Sequence, residues 1–117
     1  MILGGSQNYR VVVSEYQNYN IISFENKVEI DLYNIAEVAQ IFKDGNRRGI
    51  EDWAIDLKPI KFIDSSGFSG IIAQSLHLAK RNKMLILISP PNTVLPILNT
   101  MNDTRLVFRI VADKSML

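Results

Sequence analysis

Met84 to Ile88 is an unbroken apolar run of strand length, and it follows at once on a stretch with helical periodicity. A strand that is apolar at every position has no face to give to water, so both faces must be covered. Parallel neighbours reached through helical crossovers supply that cover. The preceding stretch, Phe68 to Lys83, is the clearest helix in the chain. Phe68, Ile71, Ile72, Ser75, Leu76 and Ala79 make an apolar stripe with one small polar member. Lys80, Arg81 and Lys83 collect at its C-terminal end, where the helix dipole favours cations.

The rest of the chain repeats this alternation. Val11 to Val13 and Ile21 to Phe24 read as strands joined through a turn at Asn18 to Asn20, which makes a hairpin. Asp31 is placed to cap a helix whose apolar face is Leu32, Ile35, Ala36, Ala39 and Phe42. Lys43 lies in its last turn, and Gly45 and Asn46 are expected to stop it. Trp53 to Leu57 reads as a buried strand that Pro59 ends. Ser89-Pro90-Pro91-Asn92 is a turn and helix start, followed by the face Val94, Leu95, Leu98 and Met101. Pro96 is tolerable there because it falls in or near the first turn. Leu106 to Val111 reads as the last strand. The expected order is β-β-α-β-α-β-α-β. That is an α/β fold, one domain over residues 1–117, with a mixed, mainly parallel sheet and helices packed on it.

Composition narrows what such a domain can do. The chain has 117 residues, no cysteine, one histidine and a formal net charge of +1. No disulfide framework and no cysteine-based metal site can form. Thirteen basic and twelve acidic residues leave no field that would favour nucleic acid or an anionic membrane as partner. The start MILGGSQNYR lacks the pattern of a signal peptide, and the apolar runs fall short of the ~20 residues a membrane span needs. A cytoplasmic protein without membrane insertion is the expectation.

Catalytic readings find little support. A hydrolase built from Ser65, Ser66, Asp64 and His77 would need a Gly-x-Ser-x-Gly elbow, and Gly67-Phe68-Ser69-Gly70 is one residue short of it. His77 also lies too far along the helix from Ser65, at ~1.5 Å of rise per residue, to act as its base. Gly67 and Gly70 match neither phosphate-cradling glycine pattern, so no nucleotide or other cofactor is expected. Lys43, Arg47 and Arg48 read as a solvated turn. The expectation is a protein that is not an enzyme.

Phe62-Ile63-Asp64-Ser65-Ser66-Gly67-Phe68-Ser69-Gly70 carries more information. It lies between a buried strand and the strongest helix, where ligands and partners usually meet an open α/β sheet. A helix start leaves backbone amides unpaired and carries partial positive charge. A phosphate added there is accepted without local unfolding and brings about −1.5 to −2 charges beside Asp64. The same residues also suit an ordinary helix cap, since Asp and Ser are preferred caps and Gly allows close backbone packing.

Lys61-Phe62-Ile63-Asp64-Ser65-Ser66-Gly67-Phe68 resembles the signature of the STAS domain, the sulfate-transporter and anti-sigma-factor-antagonist family. The resemblance extends to the hairpin start, to Glu29-Ile30-Asp31 before the first helix, and to Ile88-Ser89-Pro90 before the third. It implies an anti-sigma factor antagonist that works by partner switching. The unphosphorylated form would bind an anti-sigma factor with serine kinase activity, and so free a sigma factor for transcription. Ser65, directly after the motif aspartate, would be the phosphoacceptor. Asp64, Ser66, Gly67 and Phe68 would form the recognition surface, with Asp31 beside it, and a serine phosphatase would reset the switch. An alternative within the same resemblance is an unphosphorylated STAS subunit of a larger lipid-transport or stress-sensing assembly. Val28, Leu32-Tyr33-Asn34 and Phe68-Ser69 differ from the family's usual residues. Oligomeric state is open, although an exposed strand edge would allow self-association.

Overall fold

The computed structural model describes residues 9–27, 29–104 and 108–117. Its elements are β1 (Arg10–Tyr16), β2 (Tyr19–Glu25), β3 (Glu29–Ile30), α1 (Leu32–Arg47), β4 (Trp53–Asp56), β5 (Phe62–Ile63), α2 (Ser65–Ala79), β6 (Leu85–Ile88), α3 (Leu95–Thr104) and β7 (Phe108–Val111), then a 3₁₀ turn at Lys114–Met116. Five strands form one sheet in the order β1-β2-β4-β6-β7. Only β1 and β2 are antiparallel; β2–β4, β4–β6 and β6–β7 are parallel. This is the mixed, mainly parallel sheet expected from the sequence.

The apolar run Met84 to Ile88 supplies β6 in the sheet interior, and all four residues of β6 are buried. Its alternate residues feed two clusters. Leu85 and Leu87 join Ile22, Phe24, Trp53, Ile55 and Phe108 on the helix side, beneath Ile35, Val38 and Phe42 of α1, Ile71 and Leu78 of α2, and Leu98 of α3. Ile86 and Ile88 join Ile21, Ala54 and Val111 on the other side, where Tyr16, Tyr19 and Leu117 pack on them. Among the described residues, no helix is long and apolar enough to cross a membrane.

Several boundaries differ from the sequence expectation. The hairpin turns at Gln17-Asn18, because Tyr16 already pairs with Tyr19. Gly45 and Asn46 do not stop α1, which runs on to Arg47. Gly45 is instead a point of close approach: a Cβ there would lie 2.3 Å from Cζ2 of Trp53. The buried face of α1 is Asn34, Ile35, Val38, Phe42 and Gly45, whereas Leu32 and Ala36 are exposed. Helix α2 starts at Ser65, before Phe68, and ends at Ala79. Lys80 and Arg81 therefore lie beyond its end, and Asn82 turns the chain at φ 59°. Leu78, not Ala79, takes the buried place on α2, and His77 is exposed. Asn92 lies in a turn before α3, which leaves Pro96 in the first helical turn. Leu106 and Val107 lie outside the described residues.

The strands β3 and β5 were not expected. Each has two residues, too few for a period to register. They pair in parallel as a separate ribbon, Glu29 with Phe62 and Ile30 with Ile63.

Candidate functional site

The β3–β5 ribbon sets two helix starts side by side. Asp31 follows Ile30 and caps α1; Asp64 follows Ile63 and caps α2. In this register Leu32 and Ser65 are matching first residues of their helices, Tyr33 and Ser66 matching second residues. The Asp64 amide donates to the Ile30 carbonyl at 3.1 Å, which ties the second cap directly to the first strand of the ribbon.

Both caps are closed by their own side chains. Oδ1 of Asp64 accepts from the Gly67 amide at 2.8 Å, and the Asp64 carbonyl accepts from the Phe68 amide at 3.0 Å. Oδ1 of Asp31 accepts from the amides of Tyr33 (3.0 Å) and Asn34 (3.1 Å). Asn34 closes the box from the other direction, since its Oδ1 accepts from the Asp31 amide at 3.0 Å. Its Nδ2 donates to the Glu29 carbonyl at 2.7 Å. A fully buried asparagine is tolerable because these bonds satisfy it. Lys27 adds an ion pair to Asp31, Nζ to Oδ2 at 3.1 Å, with both side chains about four-fifths buried. Partial burial pulls the Asp31 carboxyl upward. The hydrogen bonds from Asn34, Lys27 and Tyr33 and the Lys27 charge outweigh it, and the group sits below the usual aspartate range.

The residues named from the sequence meet at this point, on different layers. Ser65 is exposed, Ser66 and Phe68 are half-buried, and Gly67 is buried. A Cβ on Gly67 would lie 2.7 Å from both the Ile30 carbonyl oxygen and Cγ2 of Ile63. Gly67 therefore acts from beneath, by letting α2 sit against the ribbon. Phe68 turns into an apolar groove of about 360 Å³ between α2 and α3, lined also by Ser69, Ile72, Ala73, Leu76 and Met101. The first-turn amides of α2 at Ser65 and Ser66 have no acceptor within the helix, which is the ordinary state of a helix start.

Sequence reading missed the surroundings. Tyr33 (70% exposed), Leu32 (59%) and Phe62 (56%) are the most exposed large apolar side chains among the described residues, and all three belong to the ribbon and its helix starts. The spacing of Leu32 places it on the apolar face of α1, yet its side chain is exposed. Phe62 follows buried β4, yet β5 is only two residues long and pairs on one side, so it leaves that ring outward.

The comparisons with known proteins bear on this arrangement. No family model matches the chain, and no curated protein matches it by sequence. Solved structures do match. A proposed anti-sigma factor antagonist of Thermotoga maritima, TM1081, superposes with a TM-score of 0.77 at 19% identity, covering 91% of this chain and 89% of that one. The anti-sigma factor antagonist SpoIIAA, in its unphosphorylated form, superposes with a TM-score of 0.71 at 13% identity, covering 92% of each chain. The chain has the fold of the anti-sigma factor antagonists. It is the STAS-like fold that the Lys61–Phe68 resemblance implies. Within this antagonist fold, sequence identity is too low to transfer any residue's role, so the site rests on its own geometry.

One consequence concerns the first cap. Asp31→Asn keeps a capping oxygen but removes the charge that Lys27 pairs with and that the helix start favours, and it should cost about 0.5–1 kcal/mol of stability at neutral pH. Because the folded carboxyl is more acidic than the unfolded one, its contribution is complete above the usual aspartate range. It is lost as pH falls through the lowered folded value. Urea midpoints of the two proteins should therefore converge in acid. A gap that stays constant down to the lowest accessible pH would show that the charge of Asp31 contributes nothing.

Proposed function

We propose that the chain is a phosphorylation-controlled anti-sigma factor antagonist. In its unphosphorylated form it binds an anti-sigma factor that is also a serine kinase, in the cytoplasm, and so acts on transcription through the released sigma factor. Ser65 is the phosphoacceptor, and a serine phosphatase resets it. Asp64, Ser66 and Phe68 form the recognition surface with Asp31 at its edge, and Gly67 holds that surface in place. The antagonist fold supports the general role. The observation that carries the switch is an exposed serine at the first position of α2, with its neighbouring amides free of helical acceptors.

The chemistry asks little of the chain. The kinase transfers the terminal phosphoryl of ATP to Oγ of Ser65, and the hydroxyl proton leaves to the kinase's base. The new dianion lies at a helix start that tolerates it, so the fold persists. The partner meets a changed surface, in which the phosphate stands next to Asp64 and near Asp31. Like charge and the cost of desolvating the phosphate then oppose docking.

The deciding experiment is phosphate mapping by mass spectrometry after incubation with Mg-ATP and an anti-sigma factor serine kinase from the same organism. Phosphate on Ser65 is the expected result. Stoichiometric phosphate on another residue, or none with an active kinase, would overturn the assignment.

The exposed trio supplies a second check. A partner that reaches Ser65 on a rigid helix start must also meet Leu32, Tyr33 and Phe62. Tyr33→Ala and Phe62→Ala should each weaken binding about tenfold or more, as buried aromatic anchors do. Their thermal midpoints should stay near the parent's, because both rings are mostly exposed in the free protein. Unchanged affinity in both variants would mean that the partner approaches from elsewhere.

A further inference from the structure

The sheet ends on two edges, and they differ. Strand β7 offers four residues; β1 offers seven, paired with β2 from Arg10–Glu25 through Tyr16–Tyr19 in one unbroken register. Among the described residues, no strand or loop pairs with β1 on its outer side. Edge strands are usually guarded by proline, a bulge, an inward charge or short length. The sequence of β1, Arg-Val-Val-Val-Ser-Glu-Tyr, has no proline and no bulge, and its centre is three valines. Val13 lies on the helix side of the sheet opposite fully buried Ile22, yet it remains 42% exposed.

We propose that β1 is a self-association edge, on which a second copy of this chain adds its own β1 antiparallel across a two-fold axis normal to the sheet. Such an axis requires paired residue numbers to sum to an even value, so that facing side chains share one side of the sheet. The sum of 24 sets Val12 against Val12, Val11 against Val13, and Arg10 against Ser14 of the second copy. Residues of like parity meet in this register. The amides and carbonyls that β2 leaves unpaired in one copy therefore face the same set in the other. Both copies of Val11 and Val13 meet on the helix side, the two Val12 meet on the other side, and no like charges oppose. The next even register, 26, would set Val11 against the Glu15 carboxylate and lose that match. An edge ladder of this length is smaller than a standard interface of about 1,200 Å² or more, so the dimer is weak and forms with rising concentration. The inference is independent of Ser65 and of any kinase.

Sedimentation velocity on the full chain, from micromolar to sub-millimolar concentration, tests it. The weight-average mass should climb from the monomer towards the dimer. Val12→Lys and Val12→Glu each place like charges face to face on the two-fold and should each remain monomeric. An equimolar mixture of the two should recover the dimer, because lysine then faces glutamate. Thermal melts of each variant establish that it is folded. A parent protein that is monomeric throughout would overturn the proposal. So would a dimer indifferent to both charges, or folded variants whose mixture fails to associate.

Discussion

Phosphorylation of Ser65 is expected to weaken binding to the anti-sigma factor by about 100-fold or more, since unfavourable charge juxtaposition at an interface costs several kcal/mol. Ser65→Asp should move in the same direction by a smaller factor, because it adds one charge and a shorter group where the phosphate adds about −1.5 to −2. Ser65→Ala should bind like the unmodified protein and be deaf to the kinase. The effect is local in origin. Ser65 is exposed at the first position of α2 while the Asp64 carboxylate is occupied by the Gly67 amide at 2.8 Å. Among the described residues Asp64 forms no ion pair, so the new charge adds to an unneutralised carboxylate and is presented outward. Calorimetric titration of the phosphorylated, Ser65→Asp and Ser65→Ala proteins separates these outcomes. Phosphorylated protein that binds as tightly as the alanine variant would remove the switch while leaving the antagonist fold untouched.

Gly67→Ala has the largest expected effect on the fold. Inside a helix, glycine to alanine ordinarily gains up to about 1 kcal/mol. Here the added methyl would lie 2.7 Å from the Ile30 carbonyl oxygen and from Ile63 Cγ2, and 2.9 Å from Ile30 Cγ2. A backbone oxygen cannot rotate away, so α2 must lift from the ribbon or the ribbon must break. Overpacking of this kind typically costs about 1–3 kcal/mol. The sign itself is diagnostic: a denaturant midpoint that rises in Gly67→Ala would mean that the close approach of α2 to Ile30 is not maintained in solution. The Asp64 amide to Ile30 bond, at 3.1 Å, belongs to the same contact and should lose protection from hydrogen exchange together with it.

Much of this architecture was legible in the chain. Buried β6 could be read from five consecutive apolar residues, and the five main strands follow from runs with clear turn signals. The pair Asp31 and Asp64 could be read as caps because their neighbours begin helical periods. What escaped reading has common physical causes. The ribbon is two residues per strand, so neither alternation nor length marks it, and its existence depends on Ile30 and Ile63 meeting across the fold. Asn34 was passed over because a polar residue on an amphipathic helix is normally placed outside. Only the tertiary meeting of Glu29, Asp31 and Asn34 satisfies its amide. Gly45 reads as a helix stop by propensity, and only the Trp53 ring explains why a glycine stands inside the helix. The apolar surface of Leu32, Tyr33 and Phe62 was hidden by the same limit, since spacing reports which residues share a face and not which face is covered.

The tilted contact of Phe42 with Trp53, ring centroids 4.6 Å apart, has an optical use. Trp53 is the only tryptophan and is almost wholly buried. It sits beside Gly45, towards the C-terminal end of α1, about 20 Å along the helix from Asp31 at ~1.5 Å per residue. Its emission therefore reports whether α1 still lies on β4, and it is too remote to sense what occupies the surface around Ser65. Global unfolding therefore shifts the fluorescence towards that of a solvated indole, while loss of a partner leaves it where it was.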